Sequence, residues 1–213
     1  MPYLPFLLQG ALVTASISLV AIALGIPLGL ALAIVRWQRI PLLSQLVALY
    51  VSVVRATPAI TLALLIFFGS PSIGIVLDAT TAAILTLLIN TSAFNCEIWR
   101  AALIDFPRDQ VEAARAFGMP PWLMFRRVVL PQVWRTSLPA LVNEMTLLIK
   151  ASPALAVIGI VDLTRAASRI GAATYKPLPP FLAATAIYML LVMLFVAAQR
   201  YVERRVRQRF EMA

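Results

Sequence analysis

EAARAFGMPPWLMFRRVVLP, Glu112 to Pro131, is the most polar long stretch in an otherwise oily chain. It opens as an Ala-rich helix, meets Gly118 and Pro120-Pro121, resumes as an amphipathic helix through Phe125 and Val129, and stops at Pro131. Glycine lets the chain turn or another backbone approach, and proline resets a helix start. The pattern predicts two short helices joined at Gly118, lying outside the membrane between two hydrophobic spans.

The rest of the chain supports a membrane setting. Of its 213 residues 62% are hydrophobic, and the mean hydropathy is +0.91. Soluble domains are nearer half apolar. This predicts an all-α, multi-pass integral membrane protein with a single membrane domain over residues 1–213. A crossing helix needs about twenty mostly apolar residues. Five stretches qualify, at about 6–35, 42–68, 80–103, 132–160 and 181–201, with the polar loop at 104–131. The first is long enough to be tilted, or broken near Pro27, and its Gly25 and Gly29 offer a small-residue face for close helix contact. Met1 to Leu8 lacks the basic start of a secretion signal, so the first span is expected to stay. Asp162 to Ile170 reads as a short amphipathic helix.

Basic residues set the orientation. Arg36 and Arg39, six arginines from Arg100 to Arg135, and five from Arg200 onward fall on one side of a five-span chain. Arg165, Arg169 and Lys176 fall on the other. The expected arrangement puts the N-terminus outside and both the 104–131 loop and the C-terminus in the cytoplasm. The net charge of +9 is then mostly topology, which argues against nucleic acid as a partner. The chain has no histidine and one cysteine, Cys96. There is no metal-ligand spacing, no nucleophile–base pair for an intramembrane enzyme and no phosphate-binding GxxxxGK[ST] loop. Energy for any transport must come from another chain.

Several polar residues stand where lipid would not tolerate them. On a straight second span Arg55 lies about 20 Å deep at 1.5 Å per residue, and Glu144 lies at a similar depth in the fourth. A charge there is costly, so each should face the bundle interior. A buried Arg55–Glu144 pair that locks helices and a polar cavity for a charged solute are both open. Lys150 is about 240° round the helix from Glu144 and shares its face only if the helix breaks. Pro153 favours a break, and the freed backbone would be tolerated only in a cavity or against a ligand. Lys150-Ala151-Ser152-Pro153 is therefore the best pointer to a solute site. Thr57 and Asn95 complete the candidate pathway set with Arg55, Glu97, Glu144, Lys150 and Ser152. Glu97 and Arg100 should pair along one helix, and Asn90 and Asn95 are candidates for hydrogen bonds between helices.

The central stretch resembles the EAA signature of ABC-importer permeases: Glu112-Ala113-Ala114, three residues, Gly118, nine residues, Val128, one residue, Leu130-Pro131. Met119 and Pro120 complete the turn. In that family this loop is the coupling helix that docks into a cleft of an ATPase subunit. The likeness extends along the chain to the polar amino acid permeases. Gly10, Thr14, Ser18, Gly25, Gly29 and Arg36 resemble their first span. Tyr50-Val51 with Arg55-Ala56-Thr57-Pro58, and Glu97-Ile98-Trp99-Arg100, resemble their YV…R-G-T-P and A-E-I-x-R. Pro131-Gln132, Pro139, Asn143-Glu144 and Lys150 resemble L-P-Q, L-P…N-E…L-K.

The resemblance implies a type I importer fold in a bacterial inner membrane and import of amino acids or related compounds such as opines. It also implies a second permease subunit, identical or homologous, two ATPase subunits holding ATP and Mg, and a periplasmic or lipid-anchored solute-binding protein. No cofactor is expected on this chain. A methionine-type permease, of similar size and span number, is the alternative; the Arg-x-Thr-Pro and Asn-Glu…Lys positions favour the polar amino acid group. The family usually continues K-D-[ST]-S-L after the lysine; here Lys150 is followed by Ala151-Ser152-Pro153-Ala154. Either this chain is the half of a heterodimer that does not hold the solute, or the solute is unusual.

Overall fold

The computed structural model describes residues 3–211, without the side chains of residue 199 and residues 202–211. Among the described residues the chain is helical with no strand: α1 Leu4–Trp37, α2 Leu43–Ala56, α3 Ala59–Gly69, α4 Ala79–Ile104, α5 Arg108–Ala116, α6 Pro121–Met124, α7 Leu130–Ala151, α8 Leu163–Thr174 and α9 Leu178–Glu211. Four helical stretches are long and apolar enough to cross a membrane, and α2 with α3 makes a fifth if that bent pair is one span.

The bundle is organised by α1 against α4. Small residues let the two backbones close: a Cβ on Gly29 would lie 2.6 Å from the Asn95 Cβ and 3.0 Å from the Cys96 nitrogen. Trp99, fully buried on α4, donates its indole N–H to the Ile26 carbonyl of α1 at 3.2 Å. Tyr50 of α2 places its hydroxyl 2.7 Å from the Ser92 hydroxyl of α4. The helix α8 closes the other end of α1. Asp162 caps it by accepting from the Thr164 and Arg165 backbone N–H groups and from the Tyr188 hydroxyl of α9.

Two of the expected spans, the second and the fourth, take a different form. The first is not broken: α1 runs through Pro27 without interruption. The second is not straight. Thr57 precedes Pro58 and adopts extended backbone, φ −90° and ψ 126°, because the proline ring disfavours the helical region for the residue before it. α2 and α3 are therefore bent by 111° to each other; Arg55 lies before the bend, in the last turn of the regular helix α2.

The fourth does not begin after Pro131. The helix starts at Pro121, passes through a π turn over Phe125–Val129, and continues as α7. Pro131 lacks an N–H and would crowd the carbonyl four residues earlier in a regular helix. The wider turn, in which Leu130 donates back to the Phe125 carbonyl, admits it. Nor does Pro153 open a gap. The chain tightens from α7 into a 3-10 segment, Ser152–Ile158, and ends at Gly159 with φ 102°.

The fifth span is the middle of a longer α9, whose crossing stretch Leu178–Ala198 is only 6% buried. The arginines from 204 onward belong to that helix, and their side chains lie outside the described residues.

Candidate functional site: a projecting glycine turn and a polar helix face

The segment from α5 to α7 is built around its turn. The Gly118 N–H donates to the Arg115 carbonyl at 2.9 Å and the Met119 N–H to the Ala114 carbonyl at 3.1 Å. This paired closure is a Schellman end, and it needs a left-handed residue just past the helix. Gly118 supplies it at φ 74°. Pro120, extended at ψ 149°, then sends Pro121 into the next helix. A Cβ on Gly118 would meet no atom within 4 Å, so the space above the turn is open. Ala114 is buried toward the bundle, Met119 is half-buried, and Glu112 and Ala113 are exposed. Leu130 and Pro131 form the half-buried first turn of α7.

Two aromatic residues that sequence reasoning passed over flank this turn. Phe117 is 87% exposed and Trp122 is 70% exposed. Trp122 stacks on Phe125 at 6.3 Å between ring centres, and Phe125 lies 6.1 Å from Trp37 at the end of α1. An aromatic row thus ties the projecting turn to the first span. The signal was present: exposed aromatics beside a glycine turn in an amphipathic stretch are apolar contacts without an internal partner.

Glu97, on the last turns of α4 before this segment, accepts two bonds from Arg100, at 2.7 Å and 3.0 Å. It also pairs with Arg36 of α1. The local Arg100 partner was expected; the Arg36 partner, from the other packed helix, was not. Glu97 is thereby an anchor between α1 and α4 rather than a free pathway carboxylate.

Of the remaining candidates, Arg55 and Glu144 come within electrostatic reach of each other without a direct ion pair, and the others lie apart. Glu144 is 7% exposed on α7, while Arg55 is exposed at the end of α2 and lies over the Phe94 ring at 5.2 Å. No ion pair joins Arg55 to Glu144 among the described residues, so the expected buried pair is not formed. Lys150 is exposed too, and the expectation that all three charges face the interior of this chain holds for Glu144 alone. Because α7 is unbroken between them, Glu144 and Lys150 stay on different faces.

Asn95 is fully buried but donates to Thr91 of its own helix at 3.2 Å rather than to another. Its Oδ1 atom has no partner. Ser152 is buried and bonds the Ile149 carbonyl at 2.9 Å. Thr57 bonds the Val53 carbonyl at 2.8 Å, one turn back.

What does emerge is a stripe. Thr136, Pro139, Ala140, Asn143, Leu147 and Lys150 are all exposed, at the three- and four-residue spacing of one helix face. Three of these six are polar, on a helix apolar enough to cross a membrane. Such a face is disfavoured against lipid.

A bundle of apolar helices, with a turn projecting from it and a polar face left open, suits a component of a membrane transport system. The chain belongs to the family of binding-protein-dependent transport system inner membrane components, which matches residues 25–208. Among its relatives is the arginine transport system permease protein ArtQ of Bacillus subtilis (strain 168), 35% identical over 97% of this chain and 94% of that one. The nopaline transport system permease protein NocM of Agrobacterium fabrum (strain C58 / ATCC 33970) is 34% identical over 88% and 82%. In structure the chain is similar to an amino acid ABC transporter crystallised with histidines, at 34% identity and TM-score 0.87 over 96% of this chain and 95% of that one. It also matches an inward-facing methionine ABC transporter at TM-score 0.84 over 97% and 98%, where 22% identity speaks for the fold alone.

Proposed function

We propose that this chain is a membrane-spanning permease subunit of an ABC importer for amino acids or closely related polar compounds, opines among them. The observation that carries the reading is the coupling segment: an unbroken EAA spacing folded into a left-handed glycine turn, with Phe117 and Trp122 exposed on either side. A partner ATPase cleft would receive these two rings, and Gly118 keeps the approach open. Relatives of near-complete overlap act in arginine and nopaline transport, and both solutes carry amino acid groups. The family likeness and the basic-residue distribution support a bacterial inner membrane, with the N-terminus outside and the coupling segment and C-terminus in the cytoplasm. ATP and Mg would sit on two partner ATPase subunits. A second permease subunit would cover the Thr136–Lys150 face, and a solute-binding protein would deliver the solute from outside.

The geometry suggests how a pull at the turn reaches the spans. α5 follows α4 directly, and Glu97 fastens α4 to Arg36 of α1. The second helix of the segment is continuous with α7 through the π turn. Motion of the docked turn is therefore delivered to α4 with α1 on one side and to α7 on the other. Closing and opening of the polar α7 face against its partner would then alternate access to the solute.

The test is reconstitution. The chain, coexpressed with the ATPase, permease and binding-protein genes beside it, should purify as a complex and take up radiolabelled arginine, glutamine or nopaline into vesicles only with binding protein outside and ATP inside. Uptake of methionine with none of these would move the assignment to the methionine-type permeases. Purification without any ATPase would overturn the importer reading.

A further inference from the structure

Where the ends of α1 and α4 meet α2 and α5 there is a cavity of about 660 Å³. Arg36, Arg39, Arg100, Arg108 and Arg115 stand on its wall, with Glu112 as the one carboxylate among the lining residues. Arg36 and Arg100 are engaged by Glu97. Arg39, Arg108 and Arg115 make no ion pair among the described residues, even though Glu112 shares α5 with two of them. Guanidinium groups arranged around one space favour a phosphate, whose oxygens match their forked donors.

The cavity is not polar throughout. Trp37, Leu103, Ile104 and Phe106 also line it. Beside it the outer face of α2 carries exposed Leu42, Leu46 and Leu49. The ligand that suits both surfaces has an anionic head and an apolar body. The position agrees, because α1 and α4 are membrane-crossing helices and this is where both end. The turn between α1 and α2 is held in an unusual form: Arg39 at φ 52° and Leu42 at φ 63° take positive φ without being glycine, a conformation that persists only where the surroundings enforce it.

We propose that this cavity binds the phosphate of an anionic ligand, and that in the membrane the ligand is the headgroup of an acidic phospholipid, with its acyl chains along the α2 leucines. Basic pockets between membrane helices are suited to such headgroups. The proposal does not depend on which solute is imported, and its readout is lipid binding rather than uptake, so the two readings fail separately.

The experiment uses the purified protein, with its partner subunits where they copurify, in detergent micelles doped with equal phosphatidylcholine and phosphatidylglycerol, and bound lipid is counted by native mass spectrometry. The unmodified complex should enrich phosphatidylglycerol. The triple variant Arg39→Gln/Arg108→Gln/Arg115→Gln should bind it about a hundredfold more weakly, the effect of three basic groups at an acidic surface. The triple Lys variant should retain most of the enrichment. Inorganic phosphate at millimolar concentration should not displace the lipid; displacement, or saturable binding of phosphate alone, would make a soluble anion the ligand and overturn the lipid assignment. Equal phosphatidylglycerol binding by the Gln variant and the unmodified complex would overturn the site itself. Should the Gln variant not assemble, the unmodified complex decides: enrichment that falls steeply with added salt supports the charge cluster, and enrichment indifferent to salt rejects it.

Discussion

The α1–α4 seam and the outer face of α7 are both lined with polar and small residues, yet they are built in opposite ways. Along the seam Gly29 brings backbone onto Asn95, Trp99 reaches a carbonyl across the gap, and Glu97 is held from two sides. On α7 the residues Thr136, Asn143 and Lys150 look outward, and no ion pair forms to Lys150 among the described residues. Polarity alone does not mark a working surface in a membrane protein. Polarity that the chain itself satisfies fixes the fold, and polarity left open is available to a partner or a passing solute.

Substitutions should separate the two regions sharply. The largest effect is expected for Gly29→Leu. A Cβ already meets Asn95 at 2.6 Å, and overpacking of this kind costs about 1–3 kcal/mol or more. The variant should fail to give a monodisperse complex by size-exclusion chromatography; normal yield and melting temperature would show that the seam can open. Glu97→Gln comes next. It removes a charge held by two arginines, at a cost of about 1.5–3 kcal/mol, and should lower the melting temperature while leaving insertion intact. An unchanged melting temperature would demote the triad to an incidental contact.

Gly118→Leu should be milder for the fold and severe for function. Left-handed backbone costs a branched residue about 1–2 kcal/mol, and no atom of this chain obstructs the side chain. The complex should assemble with ATP hydrolysis uncoupled from uptake. Binding-protein-stimulated hydrolysis and uptake at normal levels would break the coupling assignment. Smallest of all for stability should be Arg55→Met, within about 0.5 kcal/mol as for other exposed positions. Arg55 acts on Glu144 through space without a direct ion pair, so the double variant Arg55→Met/Glu144→Leu should fall close to the sum of the single effects in both yield and uptake. Mutual rescue would demonstrate a pair that forms in another state of the transporter.

Much of the framework was legible because it rests on local chemistry. Gly118 after an Ala-rich helix announces its own turn, Gly25 and Gly29 announce close packing, and Asp162 before an amphipathic run announces a helix start. Glu97 with Arg100 is an i,i+3 pair and could be read directly. Arg36 is 61 residues from Glu97, and no periodicity connects them; only the packing of α1 on α4 does. The bend at Thr57–Pro58 had its signal in the residue before proline, but the signal fixes a break and not its angle. The same residue type misled at Pro131. A proline there reads as the end of a helix, and the chain instead widened one turn to carry the helix past it. Arg55 and Glu144 were placed at similar depth by counting along their helices, and such a count does not say which way a side chain faces: Arg55 is exposed at the end of α2 and Glu144 is buried on α7.

The widened turn at Phe125–Val129 has the character of a dislocation in a crystal. It holds one residue more than a regular helix uses over the same length, so the side chains before it are rotated by about 100°, one residue's share of a turn, relative to those after it. Pro131 pins the mismatch in place, because a regular turn there would bring its ring onto the carbonyl four residues earlier. The offset therefore sets, once and for all, how the segment leading to the proposed coupling turn is rotated against α7.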